Sequence, residues 1–215
     1  SDTLAGDEIE QRLLAFGMPA ARIRRMWDGI DHAAVTAAPE PAEKTSDCVM
    51  IGVRPNKGLH DVVPVWREVL KLRPGTTLTL MGGMSGEAEL VKQIADEKLP
   101  ISVFKAPGGF LPAAEYHAKI KEARVLFAPS HEEGWGIAVC EAMAAGLPVV
   151  AYDLPAYRKI YKGAYAPVPL GDFKAFAKAI VKALDDVQER DRLRAAGAQA
   201  AAKYDWGAIA ARDAA

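Results

Sequence analysis

Two rhythms of apolar positions alternate along the chain. Short runs rich in β-branched and aromatic residues recur at Asp47 to Val53, Thr76 to Met81, Ile101 to Phe104, Val125 to Ala128, Val149 to Tyr152 and around Ala164 to Val168. Each is short enough, and bounded well enough by Gly, Pro or Asp, to read as a buried strand. Between them lie stretches with helical spacing: about Leu59 to Leu72, about Gly86 to Ala95, Ala113 to Ala123, an Ala-rich run after Gly136 that stops at Gly146 with Pro148 beyond, and a helix from Phe173 through Leu184 capped by Asp172. A last Ala-rich helix leads to Tyr204-Asp205-Trp206. At the other end, Leu4, Ile9, Leu13, Leu14 and Phe16 fit an amphipathic helix closed by Gly17 and Pro19, and the alternation from Arg22 to Asp31 reads as a strand and an Asp-Gly turn. Strands alternating with helices specify a parallel sheet covered on both faces, an α/β fold of Rossmann-like three-layer α/β/α form, whose ligand loops follow the strand ends. One such domain accounts for all 215 residues. Residues 1–46 read as a crossing segment with the first helix and strand, and 47–215 as the ligand-binding body.

Composition narrows the class. Half of the residues are hydrophobic, 26% are charged and the net charge is −1, the profile of an ordinary soluble globular chain with a large core. The neutral balance, without a basic stripe, argues against nucleic acid. With no bilayer-length apolar run and no signal-peptide pattern, a cytoplasmic site is the default expectation. Cys48 and Cys140 sit in apolar runs and are expected to be reduced core residues, and four scattered histidines offer no metal spacing.

The chemistry concentrates in Ser130-His131-Glu132-Glu133-Gly134-Trp135-Gly136-Ile137, which joins a strand to an Ala-rich helix. A glycine loop at that junction exposes the first amides and the positive dipole end of the helix, a place for phosphate. Glu133 precedes the helix and Glu141 lies inside it, their backbones at most about 12 Å apart at helical rise. That span suits a ligand with polar groups at both ends and a diphosphate in the middle, a nucleotide sugar. Alone, Glu133 reads as well as a dipole partner; Glu141 lies in a helix that is apolar almost all round and there requires a partner. A second strand, glycine loop and helix follows Val53, with Gly52, Arg54, Lys57 and Gly58; by spacing alone a basic surface turn and a phosphate loop are equally good readings. Gly82-Gly83 is a tight turn or a cleft wall.

Glu133, seven intervening residues, Glu141 and Ala142-Met143-Ala144-Ala145-Gly146-Leu147-Pro148-Val149-Val150-Ala151 together resemble the signature of family 4 of the glycosyltransferases, retaining enzymes of the two-domain GT-B fold. The resemblance covers nearly the whole chain but only the second half of those enzymes. It implies that Glu133 holds hydroxyls of the donor sugar, Glu141 the ribose, and the amides of Gly134, Trp135, Gly136 and Ile137 the diphosphate. Lys57 matches the family's lysine that neutralises the leaving diphosphate. Arg54 matches its arginine less well, being closer to the lysine than in the family. The Phe110-Leu111 loop corresponds to one packing on the base through its backbone. Met26-Trp27-Asp28-Gly29-Ile30-Asp31 is similar to the family's interdomain crossing, with Asp28 for asparagine, and Arg158-Lys159 stands where the family often has a glutamate.

The resemblance therefore implies the donor half of a retaining hexosyltransferase using a UDP- or GDP-sugar, with no other cofactor and no metal. Its acceptor domain is expected to be a first domain missing from this chain, through which any peripheral membrane contact would run. The isolated chain is expected to bind donor without efficient transfer. A stand-alone nucleotide-sugar-binding or regulatory module, and a phosphorylase or epimerase of the same architecture, remain the other readings.

Overall fold

The computed structural model describes residues 4–24, 28–109 and 111–213. In chain order the helices and strands are α1 (Leu4–Ala15), α2 (His32–Ala37), β1 (Ser46–Val53), α3 (Val62–Leu72), β2 (Leu78–Met84), α4 (Ala88–Asp96), β3 (Ile101–Val103), α5 (Ala113–Lys121), β4 (Ala123–Ala128), α6 (Ile137–Ala144), β5 (Val149–Tyr152), α7 (Pro155–Tyr161), β6 (Ala166–Val168), α8 (Phe173–Asp185), α9 (Val187–Ala201) and α10 (Trp206–Asp213). The six strands pair in parallel in the order β3-β2-β1-β4-β5-β6. The order reverses between β1 and β4, leaving a crevice beyond the carboxyl ends of those two strands.

Both faces are covered, as the near-continuous apolar strands require. Helices α3 and α8 pack on one face with α4 beside α3, and α6 and α9 pack on the other with α2 and α5. Trp66, Phe127, Phe176 and Tyr152 are fully buried, and Phe127 and Tyr152 each meet Phe176 edge-on at 5.0 and 4.9 Å between ring centres. The Trp66 indole donates to the Thr76 carbonyl at 3.2 Å, so its polar edge is satisfied inside the core.

Three departures from the sequence reading have local causes. Of the strand and Asp-Gly turn expected from Arg22 to Asp31, the described residues show no strand at the start: Ala20–Arg22 is a 3-10 turn, and Ile30 makes an isolated bridge to Asp205. The Arg22 and Ile23 amides donate back to the Pro19 and Ala20 carbonyls at 2.9 and 3.0 Å, so the start of the segment is committed to a local turn; residues 25–27 of the expectation lie outside the described residues. Strand β2 runs through Gly82 and Gly83 to Met84, which pairs with Val53 after a register shift at Gly52. The glycine pair is thus a strand end beside a bulge rather than a separate turn. Helix α2, unanticipated, is capped by the Asp31 carboxylate, which accepts from the Ala34 amide at 2.8 Å.

Candidate functional site

The loops after β1 and β4 meet at the crevice because glycine lets them. Gly58 has φ +83°, and a Cβ there would lie 2.0 Å from the Pro129 carbonyl oxygen. Only a residue without a side chain brings the Lys57 loop onto Pro129-Ser130. Asp61, in the turn that leads into α3, clasps the same junction. It is buried, and its carboxylate accepts from His131 Nε2 and from the Tyr152 hydroxyl, both at 2.7 Å. The His131 amide also donates to the Asn56 carbonyl at 3.0 Å.

Across this junction Lys57 Nζ donates to Glu133 Oε1, and the Ser130 hydroxyl donates to the same oxygen at 2.9 Å. The two charged side chains are 18% and 10% exposed, so the pair is largely shielded from water. Glu133 is therefore not a dipole partner of α6. That helix begins at Gly136, φ +91°, with no side chain capping its amides. A Cβ at Gly136 would stand 2.6 Å from Tyr157, and its carbonyl accepts from the Tyr161 hydroxyl at 3.0 Å, so the open helix end is fixed from beneath. Trp135 is turned inward against Tyr161 and Tyr204, leaving the loop backbone to face the cleft.

The resulting cleft, about 480 Å³, is bordered by Gly52, Arg54, Lys57, Gly82, Glu133, Trp135, Gly136, Ile137 and Glu141, and by Asp28 from the crossing segment. Sequence reasoning named all of these but Asp28 as site residues. Arg54 reaches it too: its guanidinium and the Lys57 side chain lie 3.8 and 3.9 Å from where a Cβ on Gly52 would stand, so the short spacing is no obstacle. Gly134 lies exposed in the same turn. Leu111 borders instead an adjoining cavity of about 820 Å³, shared with Met81, Phe104, Tyr116, His117 and Glu141. Glu87 and Lys105, 3.9 Å apart, stand on its rim. Phe110 lies outside the described residues. Arg158 pairs with Asp153 at 2.8 Å and Lys159 lies on the same helix, neither bordering the cleft.

Glu141 belongs to both cavities, and its partners come from α5. The Tyr116 hydroxyl donates to Oε2 at 3.2 Å and His117 Nε2 stands 3.6 Å from Oε1. Sequence reasoning required a partner for this carboxylate but had no signal pointing to α5. Burial raises the Glu141 pKa above its ordinary 4.5, against the lowering pull of Tyr116 and His117. Because the folded state then holds the proton more tightly than the unfolded chain, the associated stability is full at low pH and is lost as pH rises through the carboxylate range. Glu141→Gln, which carries no charge to bury, is expected to gain thermal stability relative to wild type between about pH 4 and about pH 7. Melting curves at both values check this; a relative loss over the same interval would show that the buried charge is itself stabilising.

The two cysteines are buried and free, and burial pushes the Cys140 thiol up to about 12. Among the described residues no helix is long and apolar enough to cross a membrane, and no three His, Cys, Asp or Glu side chains group to hold a metal ion.

A six-stranded parallel sheet with helices on both faces and a crevice at the reversal of strand order is a Rossmann-like three-layer α/β/α domain. A family model for glycosyl transferases group 1 matches residues 37–200, and the chain belongs to that family. It is 43% identical over 98 residues to a phosphatidyl-myo-inositol mannosyltransferase of Mycobacterium leprae, covering 44% of this chain and 26% of that protein. To a glycogen synthase of Mycobacterium tuberculosis it is 29% identical over 211 residues, covering 95% of this chain and 49% of the relative. The chain thus spans half or less of these curated relatives. Among solved structures, a sucrose-phosphate synthase from Thermosynechococcus elongatus superposes with a TM-score of 0.75 at 20% identity, covering 99% of this chain and 55% of that one. The C-terminal domain of a glycosyl transferase group 1 family protein from Francisella tularensis gives 0.65 at 17% identity, covering 81% and 97%. At such identities the superpositions bear on fold alone.

Proposed function

We propose that this chain is the donor-binding half of a retaining glycosyltransferase, holding a UDP- or GDP-sugar from which a hexosyl group passes to an acceptor. The observation that carries the reading is the single cleft in which an uncapped helix end, a lysine-carboxylate pair and a second, half-buried carboxylate succeed one another. The diphosphate sits at the amides opening α6, where dipole and donors both favour an anion. Lys57 and Arg54 neutralise the charge that grows on the leaving diphosphate. Glu133 exchanges its lysine for hydroxyls of the sugar, and Glu141 takes the ribose. No metal is required, because two cations and the helix end supply the positive charge. The acceptor is held by a further domain, so this chain alone binds donor but lacks one catalytic wall.

Titration calorimetry with a nucleoside diphosphate and its sugar, with sugar transfer assayed in parallel, tests the reading. Glu141→Gln is expected to weaken both ligands about tenfold to a hundredfold, the worth of a hydrogen bond to a charged group. Glu133→Gln is expected to weaken only the sugar-bearing ligand. Affinities untouched by either substitution in a folded protein, or efficient transfer by the chain alone, would overturn the assignment.

A further inference from the structure

Tyr116 and His117 are successive residues of α5, so their side chains leave the helix about 100° apart. Both nevertheless converge on one carboxylate, each addressing a different oxygen of Glu141. Their rings lie 5.5 Å apart and tilted by 58°, enclosing the carboxylate from the α5 side. All three residues border the 820 Å³ cavity.

Terminal carboxylate torsions are broad, and an untethered Glu141 would sample many orientations. The Tyr116 bond fixes one oxygen. A carboxylate offers about four lone-pair sites, and this bond takes one, leaving acceptors on both oxygens. His117 differs from Tyr116. At 3.6 Å its Nε2 is beyond hydrogen-bond length from Oε1, and its Nδ1 is buried without a partner among the described residues, although the side chain is only 6% exposed. Buried polar groups are nearly always bonded, so an imidazole with hydrogen-bonding capacity in reserve, its Nε2 just beyond reach of a carboxylate at a cavity, is placed to close on that carboxylate when a ligand seats.

We infer that Tyr116 and His117 are positioning residues that hold Glu141 for two adjacent ligand hydroxyls, and that this arrangement makes the cavity prefer a ribonucleoside to its 2′-deoxy counterpart. The inference rests on the reading of Glu141 as the ribose-holding group. A vicinal diol donates one hydrogen bond to each oxygen of an oriented carboxylate, and seating it draws His117 Nε2 onto Oε1. A 2′-deoxyribose leaves one acceptor site of the carboxylate desolvated and unpaired, which a site built for the hydroxyl penalises heavily.

The test compares affinities of GDP with dGDP and of UDP with dUDP by titration calorimetry. Wild type is expected to favour whichever ribonucleotide it binds by tenfold or more. Tyr116→Phe, which removes one hydroxyl and keeps the ring, should cut that ratio to a few-fold by weakening the ribonucleotide alone. His117→Phe should act likewise, whereas His117→Gln, with an amide nitrogen near the Nε2 position, should restore most of the ratio. A merely structural role would weaken ribo and deoxy ligands equally; that result, or an unchanged ratio in Tyr116→Phe, overturns the inference. Should His117→Phe fail to fold, Tyr116→Phe decides alone. Glu141→Gln separates the two levels. If it abolishes the ratio while Tyr116→Phe does not, the positioning role fails and the ribose reading stands; if it leaves both affinities intact, both fall.

Discussion

Gly58→Ala is expected to cost about 3 kcal/mol or more and to disable the cleft with it. The left-handed backbone alone costs an alanine about 1 to 2 kcal/mol. At Gly58 the new Cβ would also stand 2.0 Å from the Pro129 carbonyl oxygen and 2.9 Å from its Cβ. Those are main-chain and ring atoms that cannot swing aside, so the loops after β1 and β4 must part. Gly75 provides the control: its φ is +78° but nothing lies within 4 Å of its Cβ position. Gly75→Ala should therefore cost only the backbone term. Denaturant unfolding of both variants checks the difference, and equal midpoints would mean that the two loops do not depend on their close approach.

Lys57→Met is expected to weaken nucleoside diphosphate binding about tenfold to a hundredfold while leaving the free nucleoside unaffected. It should also flatten the salt dependence of binding, because a lysine acts on phosphate as a point charge. The pairing with Glu133 sharpens this expectation. The lysine has a carboxylate partner in the cleft, and Ser130 shares that carboxylate, so the cation is held where the two loops meet. Arg54, exposed at the edge of the same cleft, should show a smaller effect when changed to alanine. Unchanged diphosphate affinity in Lys57→Met would assign the ion pair to stability alone.

The features legible in the sequence were those that local periodicity decides. Runs such as Asp47 to Val53 and Val125 to Ala128 have the length and β-branched content of buried strands, and a parallel sheet buried on both faces forces that composition. Glu133, Lys57 and the glycine loop could be singled out because they follow strand ends, and the structure brings them to one cleft with Glu141 of α6. What could not be read was pairing at long range. Glu141 demanded a partner, but Tyr116 and His117 precede it by a whole strand and loop, and nothing in their local pattern marks them. Asp61 likewise looks like an ordinary first-turn helix residue; only the tertiary structure puts His131 and Tyr152 on its carboxylate. The strand expected to begin at Arg22 starts differently for the converse reason. Alternation describes a residue pattern, while the Arg22 and Ile23 amides bond back to Pro19 and Ala20 in a local turn.

The lone bridge between Ile30 and Asp205 has a mechanical consequence. The Ile30 amide donates to the Tyr204 carbonyl at 2.8 Å, and the Trp206 amide donates to the Ile30 carbonyl at 3.0 Å. A point of the chain before β1 and a point after β6 are thereby tied in parallel. Tension applied through the segment before Ile30 and the segment after Trp206 would pull the two strands of the bridge along their axes in opposite senses, loading both bonds in shear before any strand of the sheet feels it. The bridge thus tethers the crossing segment to the segment after α9, and Asp28, which borders the cleft, lies two residues before it.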